Sequence, residues 1–188
     1  SGQVITSNGS GSAPTWQDAG GGAWNLISTV NASAASSATI TGTSSTYSKY
    51  AIIGKNWRAE FGDWIYARWL NNGTEMTSYK VAWYTIVSNS TGTMSSETDT
   101  SYFRPGRFGN GTNDRTDFII WFNSTHEDST NIFNFQFQGQ SSIYTSQNTS
   151  RFNNGSGATA QSFTNISGLK LYPGSGHITG TMQLYGIS

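Results

Sequence analysis

Cysteine is absent from this 188-residue chain, so neither disulfides nor thiol chemistry can stabilise it or work in it. Stability has to come from sheet packing, to which partner subunits could add. Charge is scarce too: Lys, Arg, Asp and Glu make up 11% of the residues, against roughly 25% in an ordinary globular chain. Ten basic residues balance ten acidic ones, and the basic ones are scattered from Lys49 to Lys170. A nucleic-acid partner is therefore not expected, because it requires a clustered basic footprint. No apolar run approaches the roughly 20 residues of a spanning helix, so membrane insertion is not expected either, and no signal peptide is visible. The sequence does not begin with Met and starts mid-pattern, which we read as a processed chain or a piece of a longer one.

Aromatics and small polar residues fill the gap. Aromatics reach 14%, with seven Trp, and Ser, Thr, Asn and Gly take the place of charges as solvent-facing residues. That is a β-sandwich composition. Extended segments are expected at Trp24–Val30, Ser37–Thr41, Tyr50–Gly54, Trp64–Leu70, Ser78–Val87, Tyr102–Arg104, Asp117–Asn123, Ile132–Gln138, Ile143–Tyr144, Gln161–Thr164, Leu169–Tyr172 and His177–Tyr185. Turn signals separate them at Asn71-Asn72-Gly73, Ser90-Thr91-Gly92, Pro105-Gly106, Asn110-Gly111 and Asn153–Gly157. In Ile132–Gln138 three Phe alternate with polar amides, whereas Phe118–Phe122 is apolar on both faces, as for a central strand covered on each side. Leu169–Ile187 reads as a closing hairpin around Pro173-Gly174-Ser175-Gly176. The expected fold is all-β, a two-sheet β-sandwich of jelly-roll type over residues 24–188.

Residues 1–23 differ from the rest. Two short extended pieces flank Ser7–Gly11, whose Asn-Gly step favours a primed turn and a small hairpin. Gly20-Gly21-Gly22 then makes a flexible joint. So short a segment cannot hold a fold alone, and we expect it to act as an extended N-terminal arm that packs on its own domain or on a neighbour.

Catalytic signals are weak. A retaining glycosidase needs two facing carboxylates roughly 5–5.5 Å apart. The glutamates are Glu60, Glu75, Glu97 and Glu127, of which all but Glu60 lie in loop-like sequence, and no carboxylate follows Asp128. No catalytic residue and no cofactor is assigned. His126-Glu127-Asp128 resembles a metal cluster by composition only. Asn110–Asp117 offers oxygen atoms to a calcium ion but lacks the spacing of an EF-hand, and an Asx-turn loop is the simpler reading. Nine Asn-x-Ser/Thr triplets follow from the Asn/Ser/Thr-rich composition. The remaining handle is surface aromatics beside cations. Trp57 next to Arg58, and Tyr102 near Arg104 and Arg107, are the candidate ligand-binding residues, in a mix that suits sugar rings and their hydroxyls.

The opening stretch, Ser1-Gly2-Gln3-Val4-Ile5-Thr6-Ser7-Asn8-Gly9-Ser10-Gly11-Ser12-Ala13-Pro14-Thr15-Trp16, resembles a segment of tail fibres and other surface proteins of tailed bacteriophages. The final Gly180–Ile187 is similar to the way their terminal domains end. Together these cover 24 of the 188 residues. The resemblance implies a β-rich, trimeric, non-catalytic module on the virion surface, a fibre tip or capsid decoration. Its partners would be other virion proteins, contacted through Val4, Ile5, Pro14 and Trp16, with host glycans as candidate ligands. A free carbohydrate-binding module and a jelly-roll glycosidase are the alternatives.

Overall fold

Phe133, Phe135 and Phe137 are buried, while Asn134 and Gln136 between them are exposed. That two-residue period is the mark of a strand with one face in a core, and it repeats along the chain. The structure, a computed structural model, describes residues 3–18, 23–61, 64–88, 92–107, 114–123, 133–143, 149–159, 163 and 165–188, and no helix occurs among them. The strands are β1 (Gln3–Thr6), β2 (Thr15–Asp18), β3 (Trp24–Ala35), β4 (Ala38–Thr41), β5 (Lys49–Ala59), β6 (Trp64–Asn71), β7 (Thr74–Glu75), β8 (Tyr79–Val87), β9 (Thr93–Thr100), β10 (Phe103–Arg107), β11 (Arg115–Asn123), β12 (Phe133–Ile143), β13 (Thr149–Thr159), β14 (Ile166–Pro173) and β15 (Ile178–Ile187). β1 and β2 pair with each other. The larger sheet has eight strands in the order β3-β15-β5-β11-β12-β13-β8-β9, and the smaller has five, β10-β6-β14-β4 with β7 beside β6. All of these pairings are antiparallel.

The chain is thus an all-β sandwich, as its composition implies, closed by one core between the two larger sheets. Trp69 of the smaller sheet stands with its ring centroid 4.6 Å from Phe122, 5.0 Å from Phe133 and 5.5 Å from Phe135 of the larger. Phe103 reaches Phe135 at 4.4 Å. Such ring pairs each add about 0.5–1.5 kcal/mol beyond the area they bury. Ile40, Leu169 and Leu171 from one sheet and Ile52, Met182 and Leu184 from the other supply the aliphatic part. The eight-plus-five strand orders do not establish the eight-strand jelly roll expected from the sequence.

Four local expectations are corrected. Asn153–Gly157 is no turn but the middle of β13. A Cβ at Gly155 would lie 2.4 Å from the Phe137 ring and one at Gly157 2.3 Å from Phe135, so both glycines make room for the neighbouring Phe row. Pro105-Gly106 lies inside β10, at a register irregularity of an edge strand, where proline removes no ladder hydrogen bond that matters. Phe118, Ile120 and Phe122 are buried, but Ile119 and Trp121 are only half-buried, so no further layer of the described residues covers β11. Finally, Leu169–Ile187 is not a hairpin: β14 pairs with β4 and β6, and β15 with β3 and β5. Pro173–Gly176 carries the chain from one sheet across to the other. The inward sets Leu169/Leu171 and Met182/Leu184 face each other across the core instead of sitting side by side.

The turn at Asn71-Asn72-Gly73 behaves as its sequence demands, with Asn72 at φ 48° and Gly73 at φ 83° between β6 and β7. The arm hairpin also forms, but not through a two-residue primed turn. Thr6 pairs with Thr15, and the connection is fastened by Asn8 Nδ2, which donates to the Ala13 carbonyl at 2.9 Å. The expected strand at Gln161–Thr164 lies largely outside the described residues, as do the Ser90-Thr91 part of one turn, the Asn110-Gly111 turn and the Gly20–Gly22 joint.

Candidate functional site

In β6 the sequence Trp64-Ile65-Tyr66-Ala67-Arg68-Trp69 turns Ile65, Ala67 and Trp69 into the core and leaves Trp64, Tyr66 and Arg68 half-buried on the outer face of the smaller sheet. β14 does the same with Lys170 and Tyr172. The register sets Tyr66 opposite Tyr172 and Arg68 opposite Lys170. Two cations directly across a strand pair repel. Glu75 on β7 resolves this: its Oε2 accepts from Arg68 Nη1 at 2.6 Å and its Oε1 from Lys170 Nζ at 2.5 Å. Hydrogen bonds from Lys170 and then Arg68 hold the Glu75 carboxyl below its ordinary pKa, and the bond to Glu75 holds the Arg68 guanidinium above its own.

Tyr102 and Arg104, two of the residues expected from sequence, join this face from the β10 side. The Tyr102 ring meets Tyr66 edge-on at 4.4 Å, and Tyr66 lies 5.7 Å from Tyr172. The Arg104 guanidinium sits over three rings, 5.4 Å from Trp64, 5.8 Å from Tyr66 and 5.4 Å from Tyr102. It also pairs with Glu97 at 3.2 Å and donates to Tyr102 Oη at 3.2 Å. Burial opposes its charge, but those two partners more than offset this and its pKa lies above the ordinary guanidinium value. Burial pushes the Tyr172 hydroxyl upward. Two polar atoms in the patch, Arg104 Nε and Tyr172 Oη, are buried without a hydrogen-bond partner among the described residues.

The other expected residues lie elsewhere. Trp57 is completely buried, its Nε1 donating to the Thr181 carbonyl at 2.9 Å, so it is a core residue and not a surface ring. Its neighbour Arg58 points the opposite way, half-buried on the outer face of the larger sheet, in a cavity of about 440 Å3 that Arg115 also lines. Tyr102/Arg104 and Arg58 therefore belong to different sheets and different faces. Arg107 ends β10, and its side chain lies outside the described residues. In the arm, Val4 pairs with Gln17 and its side chain lies outside the described set. Ile5 pairs with Trp16, and both are exposed, at 63% and 65%, while Pro14 sits exposed in the connection.

Sequence reading missed Trp64, Tyr66, Arg68, Glu75, Lys170, Tyr172 and Arg115. The signal was present: Trp64-x-Tyr66-x-Arg68 and Lys170-x-Tyr172 are the polar and aromatic halves of alternating strands. Glu60 accepts from His177 Nδ1 at 3.0 Å, so Glu60, Glu75 and Glu97 are each engaged by a different basic group. Among the described residues no cluster of three metal-ligating side chains occurs, and no helix is long and apolar enough to cross a membrane. His126–Asp128 and residues 110–113 lie outside that set. Asp117 is described, and its Oδ1 accepts from the Asn56 backbone N–H at 2.6 Å. No protein-family model matches the chain, and no curated protein or solved structure is significantly similar to it.

Proposed function

We propose that this chain is a non-enzymatic structural module of a tailed-phage particle surface, a fibre tip or capsid decoration, attached through its N-terminal hairpin and able to adhere to host glycans. One observation carries the reading. The hairpin pairs only with itself among the described strands, yet sets Ile5 opposite Trp16 with both side chains exposed. A short two-stranded ribbon is at best marginal alone in water. One that displays an isoleucine and a tryptophan has an apolar handle for another protein surface. The resemblance of residues 1–16 to phage surface proteins names the class of that surface. The outer face around Tyr66, Tyr102 and Tyr172 supplies the adhesive side, since sugar rings stack on exposed aromatic faces and charged groups bind their hydroxyls. Partners in this reading are virion proteins and two further copies of the chain.

Labelling intact particles of the phage that encodes the chain with an antibody to residues 24–188 tests this directly. Surface label is expected, and its absence overturns the assignment. Ile5→Ser with Trp16→Ser is expected to abolish incorporation while leaving the melting of the sandwich unchanged. Sedimentation of the purified chain separates the alternatives: a trimer is expected, and a monomer that binds glycans would instead mark a free carbohydrate-binding module.

A further inference from the structure

Three irregularities of the larger sheet fall in one place. The ladder of β15 with β3 shifts between Ile178 and Gly180, that of β15 with β5 between Thr179 and Thr181, and that of β11 with β5 between Thr116 and Phe118. Two non-glycine residues here have left-handed backbones, Asn56 at φ 56° and Ala34 at φ 48°. Bulges re-aim side chains and concentrate beside functional sites, and unfavourable backbone persists only where its surroundings enforce it. The surroundings here are specific. Asp117 Oδ1 holds the Asn56 N–H, Thr179 Oγ1 accepts from the Ala34 N–H at 3.1 Å, and Trp57 lies against Gly180, where a Cβ would fall 2.4 Å from the indole.

The result is a shallow cavity of about 440 Å3, lined by Asn31, Asn56, Arg58, Arg115, Thr179 and Thr181 among others. That volume is within the range of small-molecule sites, roughly 300–1,000 Å3. Its lining is basic and amide-rich. Arg58 is half-buried, and no hydrogen bond or ion pair with the described residues engages its guanidinium. Arg115 donates from Nη1 to the Asp114 carbonyl at 2.7 Å, and Asn31 Oδ1 accepts from Thr181 Oγ1 at 2.8 Å. A half-buried guanidinium with no partner among the described residues, placed beside a second one, calls for an anion with paired oxygens, and guanidinium matches carboxylate in that geometry. The uncharged amides and hydroxyls around it suit the hydroxyl groups of a sugar ring.

We propose that this cavity binds a carboxylate-bearing sugar residue, with Arg58 holding the carboxylate, Arg115 adding to the field, and Asn31, Asn56 and Thr181 meeting ring hydroxyls. This deepens the adhesive half of the proposed function and names its ligand class as acidic glycan. It does not depend on where on a particle the chain sits.

Titration of the full chain by calorimetry, with glucuronate and N-acetylneuraminate against glucose and galactose, tests it. Binding of an acidic sugar with no measurable binding of the neutral ones is expected. Arg58→Gln should weaken that binding at least tenfold and Arg58→Lys should weaken it less, because Lys keeps the charge and loses the fork. Lys80→Gln, at an exposed position on the same sheet, should change it less than twofold. A thermal melt of each variant confirms that the fold is retained. Equal binding of neutral sugars, no binding at all, or an equal loss with Lys80→Gln overturns the proposal. So does inorganic phosphate or sulfate binding as tightly as the acidic sugar, which would make this a simple anion pocket. Particle labelling can fail while this titration succeeds, and the reverse, so the two readings fall separately.

Discussion

The two outer faces of the sandwich use their residues in opposite ways. On the smaller sheet, Arg68, Lys170 and Arg104 are all engaged by Glu75 or Glu97, and the rings of Trp64, Tyr66, Tyr102 and Tyr172 pack on the cations and on each other. On the larger sheet the register lines up Ala51, Trp121, Gln136, Ser156, Ala82 and Ser96 in one row and Ile53, Ile119, Gln138, Asn154, Tyr84 and Met94 in the next. Those rows contain no ion pair among the described residues, and Met94 is 80% exposed. The difference teaches where a ligand meets competition. A sugar on the smaller sheet must share rings with cations that already occupy them. One on the larger sheet, at Arg58, meets a guanidinium that no described residue engages. On the proposed reading, the stronger specificity belongs at Arg58 and the broader, weaker adhesion at Tyr66.

The largest effect expected on either side comes from below the larger face. Trp57→Ala removes the indole under Gly180 and should cost roughly 3–5 kcal/mol of stability, read by denaturant unfolding. A change under 1 kcal/mol, together with lost sugar binding, would return Trp57 to the role of a surface ring. Next comes the charge network of the smaller face. Glu75→Gln leaves Arg68 and Lys170 opposed and should cost about 1 kcal/mol, the scale of a partly exposed network. Its pH signature has a definite sign. Because the folded Glu75 pKa is lowered, its stabilisation is fully present above the ordinary glutamate value and is lost as pH falls through the lower folded value. Melting temperatures of wild type and Glu75→Gln should differ most near neutrality and converge in acid. Curves that stay parallel would show that the bridge contributes nothing.

Much of this was legible in the sequence, for a physical reason that also marks the limit. Alternation reveals which side chains face inward, and Phe133, Phe135, Phe137, Met182 and Leu184 are all buried as their spacing requires. It does not reveal whether the next inward strand lies beside or opposite, which is why Leu169–Ile187 reads as a hairpin and is a crossing between sheets. Glycine is ambiguous in the same way: Asn72-Gly73 makes its turn, whereas Gly155 and Gly157 serve the Phe rings of the adjacent strand. Trp57 and Arg58 show the third limit. A bulge leaves both Lys55 and Asn56 exposed, so the alternation restarts out of phase, and a tryptophan between polar neighbours is turned into the core. Arg115 becomes a partner of the Arg58 cavity only through the pairing of β11 with β5, which no local pattern announces.

The smallest effect expected is also the sharpest test of the contrast between faces. Gln136→Ala sits in the middle of the larger sheet, exposed between Trp121 and Ser156. With no ion pair or core contact to lose, it should change stability by less than about 0.5 kcal/mol. Arg104→Gln, its counterpart on the smaller sheet, gives up contacts with three rings and with Glu97, and should cost about 1 kcal/mol. Both are single-site changes on outer faces, so chemical denaturation of the two variants beside wild type isolates what each face contributes to its own fold. If Gln136→Ala proves the more costly, the larger face is holding the sandwich together rather than remaining available for a ligand, and its open rows would have to be read as structural.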